Sequence, residues 1–163
     1  MTCIDQSTLS AAERLFPSMR CWISADWECH IIIAMYDLAE NPESIQLLRE
    51  FHDAGRIVVA LCHGSAALVN VKLADGSSIL AGQRVTGFSD LEEEQAMANN
   101  IVPADVPFSL EKALTKASGG KYEKATEAWA PHVIVENSGK LLFGQNPNSA
   151  HPLAEALLKV LQA

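Results

Sequence analysis

Reactive side chains are concentrated at Ala60-Leu61-Cys62-His63-Gly64. A thiol followed directly by an imidazole is a nucleophile with its own proton acceptor at hand. Arg56 to Leu61 reads as a buried, β-branched strand, and Ser65 to Val71 reads as a helix. Cys62 therefore falls at a sharp strand-to-helix turn, the logic of a nucleophile elbow. The small residues Ala60 and Gly64 on either side would let the backbones approach. Such an apex residue is expected to carry backbone strain. The helix N-terminus is expected to favour the thiolate, and the His63 N–H is a natural oxyanion donor. Against this stands the plainer reading of Cys62 as a small buried hydrophobe.

Other polar candidates read more simply from the residues alone. Glu92, Glu93 and Glu94 follow Ser89-Asp90-Leu91 and fit a solvated helix start that suits the dipole. Cys21, Cys29 and His30 lack the paired Cys-x-x-Cys spacing of a metal site and read as core. His52 suits a helix end, His132 reads as packing, and His151 opens a helix beside a candidate cleft. Trp22, Trp27 and Trp129 read as core or interface anchors. Asn146 and Ser149 read as caps of the last helix.

Several elements must position these groups. Ser10-Ala11-Ala12-Glu13 matches a capping box, and Cys29 to Ala34 resembles a strand buried on both faces. Asn41-Pro42-Glu43 starts a helix whose Ile45, Leu48 and Phe51 share a face, closed by Gly55. Val85 to Phe88 reads as a short strand end, and Phe108 to Ala117 as an amphipathic helix stopped by Gly119-Gly120. His132 to Glu136 and Lys140 to Phe143 read as strands around an Asn137-Ser138-Gly139 turn. Pro152 to Leu161 is the closing helix. Strands alternating with helices predict an α/β fold with a mostly parallel sheet, whose ligands sit at the carboxyl ends of the strands, where Cys62 lies.

The 163 residues suffice for one domain, with no linker or internal repeat. A net charge of −8, from 20 acidic and 12 basic residues, argues against nucleic acid and anionic membranes as partners. No apolar run approaches the roughly 20 residues of a membrane span. Met1 to Gln6 carries Asp5 and no basic-then-apolar pattern, and the four cysteines are irregularly spaced. A cytoplasmic location is the expectation.

Four segments together resemble the ThiJ/PfpI superfamily, which has the class I glutamine amidotransferase-like fold. Val59-Ala60-Leu61-Cys62-His63-Gly64 is similar to its reactive-cysteine segment. Val85-Thr86-Gly87-Phe88-Ser89-Asp90 with the Glu run resembles its Thr-Gly-Phe and acidic segment. Pro107-Phe108-Ser109-Leu110-Glu111 and Gly144-Gln145-Asn146-Pro147 resemble its remaining two. The last set points to the branch of glyoxalase III enzymes and heat-inducible chaperones. The resemblance implies a three-layer α/β/α sandwich with a flavodoxin-like sheet over one domain, 1–163. Its first 27 residues diverge. It further implies Cys62 as nucleophile, His63 as general base and acid, and an acidic partner from Glu92, Glu93 and Glu94, with Glu93 preferred. The substrate would be a small aldehyde, methylglyoxal, turned into lactate without metal or organic cofactor, in a homodimer.

Two departures from the pattern carry expectations of their own. Nothing in Met1 to Trp27 matches the family's opening strand, with its glutamate beside the sulfur. Ile33-Ala34 also runs straight into Met35-Tyr36-Asp37-Leu38, without the family's Gly-Gly-His-Gly loop. The expectation is a truncated or divergent member with an incomplete sheet and impaired activity, since losing one oxyanion donor costs on the order of 10²-fold. The alternative role is a non-catalytic holdase chaperone or redox-sensing stress protein of the same fold. A weaker one is amide or peptide hydrolysis.

Overall fold

The structure is a computed structural model that describes residues 34–103 and 105–162. The expected capping box at Ser10, all but the last residue of the expected strand from Cys29 to Ala34, and the divergent first 27 residues lie outside that range.

A single π-helical turn, Ala34–Leu38, leads to helix α1, Pro42–Asp53. Asn41 caps α1, its Oδ1 accepting from the N–H groups of Glu43 and Ser44 at 2.8 and 3.0 Å. Gly55, at φ +65°, then reverses the chain, and the Arg56 N–H returns to Phe51 O. Strand β1 is Val58–Leu61, and a 3-10 stretch, Cys62–Leu68, follows it without a gap. The helical stretch thus begins at the cysteine itself, three residues earlier than expected.

Helices α2, Asp90–Ala98, and α3, Leu110–Ser118, come next. Strands β2, Val133–Glu136, and β3, Leu141–Gly144, flank the Asn137–Gly139 turn. A short turn, Pro147–Ser149, opens the closing helix α4, Ala150–Gln162. Among the described residues the sheet order is β1-β3-β2, with β1 parallel and β2 antiparallel to β3.

Register divides the strands cleanly between two faces. Val58, Ala60, Leu141, Phe143 and Ile134 point into the main core, shared with Ala96 of α2, Leu110 and Leu114 of α3, and Ile45 and Leu48 of α1. Leu142 and Gly144 point the other way, toward α4. A Cβ on Gly144 would come 2.7 Å from Leu61 Cδ1 and 3.1 Å from Leu153 Cδ2, so the strand and helix approach closely only because that position is bare. Helices on both faces of a sheet with a parallel pairing give the α/β layering expected from the sequence.

Val85 to Phe88 is not a strand. Val85 alone bridges to Tyr122, its N–H and C=O pairing with Lys121 and Glu123. The next two carbonyls are taken by side chains, Thr86 O by Ser65 Oγ at 3.2 Å and Gly87 O by Tyr122 Oη at 2.8 Å, which leaves no ladder to extend. Gly87 is required here, since a Cβ would meet Leu114 Cδ1 at 2.8 Å and Ser65 at 3.2 Å.

Candidate active site

Cys62 sits where β1 ends and helical backbone begins, with φ +55°. That left-handed conformation is costly for a residue with a side chain, typically 1–3 kcal/mol, and it persists only where the surroundings enforce it. Here β1 is pinned to β3 on one side, and the buried 3-10 stretch on the other leaves no slack. The strain expected of an elbow is present. The expected reason for Gly64 is not, because a Cβ there would meet nothing within 4 Å and its φ is not positive. Close approach is instead managed by Gly87 and Gly144.

Cys62 Sγ lies 3.3 Å from Nδ1 of His63. On the far side of the ring, Nε2 of His63 lies 2.6 Å from Oε2 of Glu93. An imidazole that donates Nε2–H to a carboxylate keeps its lone pair on Nδ1, facing the thiol. Thiol, imidazole and carboxylate are therefore in line, brought together from two local structures: the first two residues of the 3-10 stretch and the first turn of α2. His63 is 2% exposed and the Glu93 side chain 12%. The second oxygen of Glu93, Oε1, is buried and has no partner among the described residues.

The ionisation of Cys62 runs against the sequence expectation. Burial pushes its thiol well above the ordinary value, and the residue is only 3% exposed. The His63 backbone N–H pulls the other way, but the Glu92 and Glu93 carboxylates add to the rise. A helix terminus does not hold this sulfur ionised, because desolvation and two nearby anions outweigh one N–H. Burial and the two carboxylates thus favour the thiol form of Cys62, 3.3 Å from Nδ1 of His63.

The three glutamates part company. Glu93 faces His63, Glu94 faces solvent, and Glu92 is fully buried. Glu92 Oε2 accepts from Ser89 N–H at 3.0 Å and Ser89 Oγ at 2.8 Å, closing a capping box. Its Oε1 accepts from Trp129 N–H at 2.9 Å, Gln145 Nε2 at 3.0 Å and Asn146 Nδ2 at 2.7 Å. Burial alone would raise this carboxyl, but the hydrogen bonds from Gln145, Asn146 and Ser89 prevail and hold it below the carboxylate range. The start of α2 is tied down a second time by α3, where Glu111 Oε2 accepts the Asp90 N–H at 3.0 Å and Ser109 Oγ bonds Asp90 Oδ1.

The sequence reading missed Gln145 and Asn146 as donors and Phe88 and Trp129 as walls of the site. The Phe88 ring lies 4.4 Å from the His63 ring, centroid to centroid, and Trp129 meets Phe88 edge-on at 5.4 Å. Three amide-rich positions, Gln145, Asn146 and Asn148, beside an acidic helix start were the available signal. Asn146 and Ser149 form the capping box of the short Pro147–Ser149 turn that leads into α4, not of α4 itself, and Asn146 also reaches Glu92. His151 stands in solvent beside Glu155, not in a cleft, and His52 sits at a helix end as expected. Trp22, Trp27, Cys21, Cys29 and His30 lie outside the described residues.

No family model matches the chain. It is similar to a probable glutathione-independent glyoxalase, hsp3104, of Schizosaccharomyces pombe, at 30% identity over 116 residues, which is 70% of this chain and 50% of that protein. It is 32% identical over 125 residues to the bovine (Bos taurus) glutamine amidotransferase-like class 1 domain-containing protein 1, covering 77% of this chain and 53% of that one. Among solved structures it resembles the Rapid Encystment Protein 24 kDa of Francisella tularensis, with a TM-score of 0.69 and 35% identity over 80% of this chain and 54% of that one. The chain spans about half the length of the curated relatives it matches. Its four sequence segments, its fold and these likenesses agree: the chain is similar to class I glutamine amidotransferase-like proteins and to the glutathione-independent glyoxalases.

Proposed function

We propose that this chain is a cofactor-independent glyoxalase III, a lactate-forming hydro-lyase acting on methylglyoxal, with Cys62, His63 and Glu93 as its catalytic residues. The observation that carries the reading is the line Cys62 Sγ–His63–Glu93, with 3.3 and 2.6 Å separations and the cysteine held at φ +55°. Relatives named as glutathione-independent glyoxalases support the substrate class.

The neutral thiol gives the chemistry its order. As Sγ attacks the aldehyde carbon, its proton passes to Nδ1 of His63 and from there to the developing alkoxide, which becomes the hydroxyl of a hemithioacetal and leaves His63 neutral again. His63 then takes the proton from the former aldehyde carbon and returns it to the neighbouring carbon, while the hydroxyl proton passes to the former ketone oxygen, which leaves a lactoyl thioester. Water cleaves that thioester, releasing lactate and restoring the thiol. One base beside both carbons suffices, and imidazole titrates in the right range. Glu93 holds the ring in the tautomer with Nδ1 free and stabilises it when protonated. The test is lactate formation from methylglyoxal by the purified chain, with Cys62→Ala for comparison. Loss of lactate in the variant is expected, and equal rates refute the proposal.

A second reading is favoured by one observation. Val59 and Val135 flank Leu142 on the α4 side of the sheet, each 38% exposed, and Leu158 and Leu161 of α4 are exposed as well. Apolar surface of this kind suits a holdase that captures unfolded clients. That role predicts suppression of client aggregation by both the parent chain and Cys62→Ala. A parent chain that leaves aggregation unchanged removes it.

A further inference from the structure

We infer that Glu92 is a positioning residue for His63, holding the imidazole from two sides; the inference rests on the reading of His63 as the proton carrier. Glu92 is the residue beside Glu93 in the chain, yet it hydrogen-bonds neither His63 nor Cys62. Its five hydrogen bonds all come from neutral donors, and two of the donor residues, Ser89 and Trp129, belong to structures that end on the ring.

The first route runs along the helix. Oε2 fixes Ser89, the residue that caps α2, through both its N–H and its hydroxyl. The first turn of α2 is thereby locked at the level of Glu93, whose carboxylate must stay 2.6 Å from Nε2. The second route runs through aromatic rings. Oε1 accepts the backbone N–H of Trp129, which is held at φ +66°, a conformation that a bulky residue adopts only under constraint. The indole N–H is tied back to α2 as well, donating to Gln95 Oε1 at 2.7 Å. Trp129 so placed meets Phe88 edge-on, and Phe88 lies against the His63 ring. One buried carboxylate therefore sets the partner at the edge of the imidazole and the wall at its face. The Gln145-Asn146 pair completes the anchor from the end of β3.

The experiment reads the ring directly, by NMR of the full chain with 15N-labelled histidine, alongside lactate kinetics. The parent chain should show a low-field Nε2–H proton for His63, from its short bond to Glu93. Glu92→Gln keeps the side-chain volume but offers the three donors on Oε1 an amide in place of a charge. It should move or broaden that resonance and lower kcat about 10- to 100-fold with KM changed less than about threefold, as a small misplacement of a reacting group does. Gln95→Met frees the indole without touching the carboxylate, and should shift the same resonance with a smaller rate loss. It also serves as the test if Glu92→Gln does not fold. An unmoved Nε2–H resonance in the folded variant overturns the inference, whatever the rate does. A moved resonance in a protein whose parent forms no lactate upholds the positioning and refutes the substrate.

Discussion

The first turns of α1 and α2 are built from the same local parts. Each has a polar cap residue, Asn41 or Ser89, whose side chain accepts backbone N–H groups, and each carries acidic residues at the positive end of the helix dipole. At α1 the acid is Glu43, exposed, and the cap serves the helix alone. At α2 one acid is swallowed by five donors and the next is aimed at an imidazole. The local rules are identical and the outcomes opposite. The difference lies in what the fold brings opposite each turn: solvent at α1, and the β1 elbow, Trp129 and the Gln145-Asn146 loop at α2.

Substitutions can break that contrast or sharpen it, and the largest effect should fall on rate. Glu93→Gln leaves the fold in place but exchanges a carboxylate, which can only accept, for an uncharged amide that can also donate to Nε2 and so no longer fixes the His63 tautomer. Lactate formation should drop by about 10³- to 10⁴-fold, read by steady-state kinetics, with the unfolding midpoint little changed. Glu92→Ala should cost stability as well as rate. It strands five buried donors and should cost roughly 3–5 kcal/mol in denaturant unfolding.

The same carboxylate has a pH signature. Its folded value is depressed below the ordinary 4.5, so the stability it contributes is present above that pH and lost as pH falls through the folded value. The unfolding midpoint of the parent chain should therefore fall on acidification below about pH 4.5, and less steeply in Glu92→Gln, where no charge is left to lose. A parallel fall in both would show that Glu92 is not ionised in the native state.

At the other turn the effects are small. Asn41→Ala should cost about 1 kcal/mol of stability, as caps generally do, and leave the rate alone. Glu43→Gln should be smaller still, below the Asn41→Ala shift in the same unfolding assay. A rate effect from either would mean that α1 is coupled to the site, and the contrast between the two turns would fail.

Much of the fold was legible because short-range rules governed it. The cap at Asn41, the Ser89–Glu92 box, the stop at Gly119 and the turn at Asn137-Ser138-Gly139 all read directly from neighbouring residues. The elbow at Cys62 was legible too, from a β-branched run that meets a small-residue helix. The preference for Glu93 over its neighbours came from family resemblance, and it agrees with the 2.6 Å contact. Spacing along the helix could not have made that choice, because three consecutive residues point in three directions and only the packing of α2 decides which one meets His63. Val85 to Phe88 misled for the opposite reason. Its composition suits a strand, yet Ser65 and Tyr122, distant in sequence, took the carbonyls a ladder would need.

The sequence by itself determined which residues could react, where the chain turns and how each helix begins, since those depend on neighbours within a few positions. The tertiary structure alone decided the state of the sulfur and the division of labour among the glutamates. Both are set by desolvation and by donors as far as 54 residues away, as in the Asn146–Glu92 bond. Electrostatic energies in a dry interior depend on what is opposite in space, which adjacency along the chain does not encode.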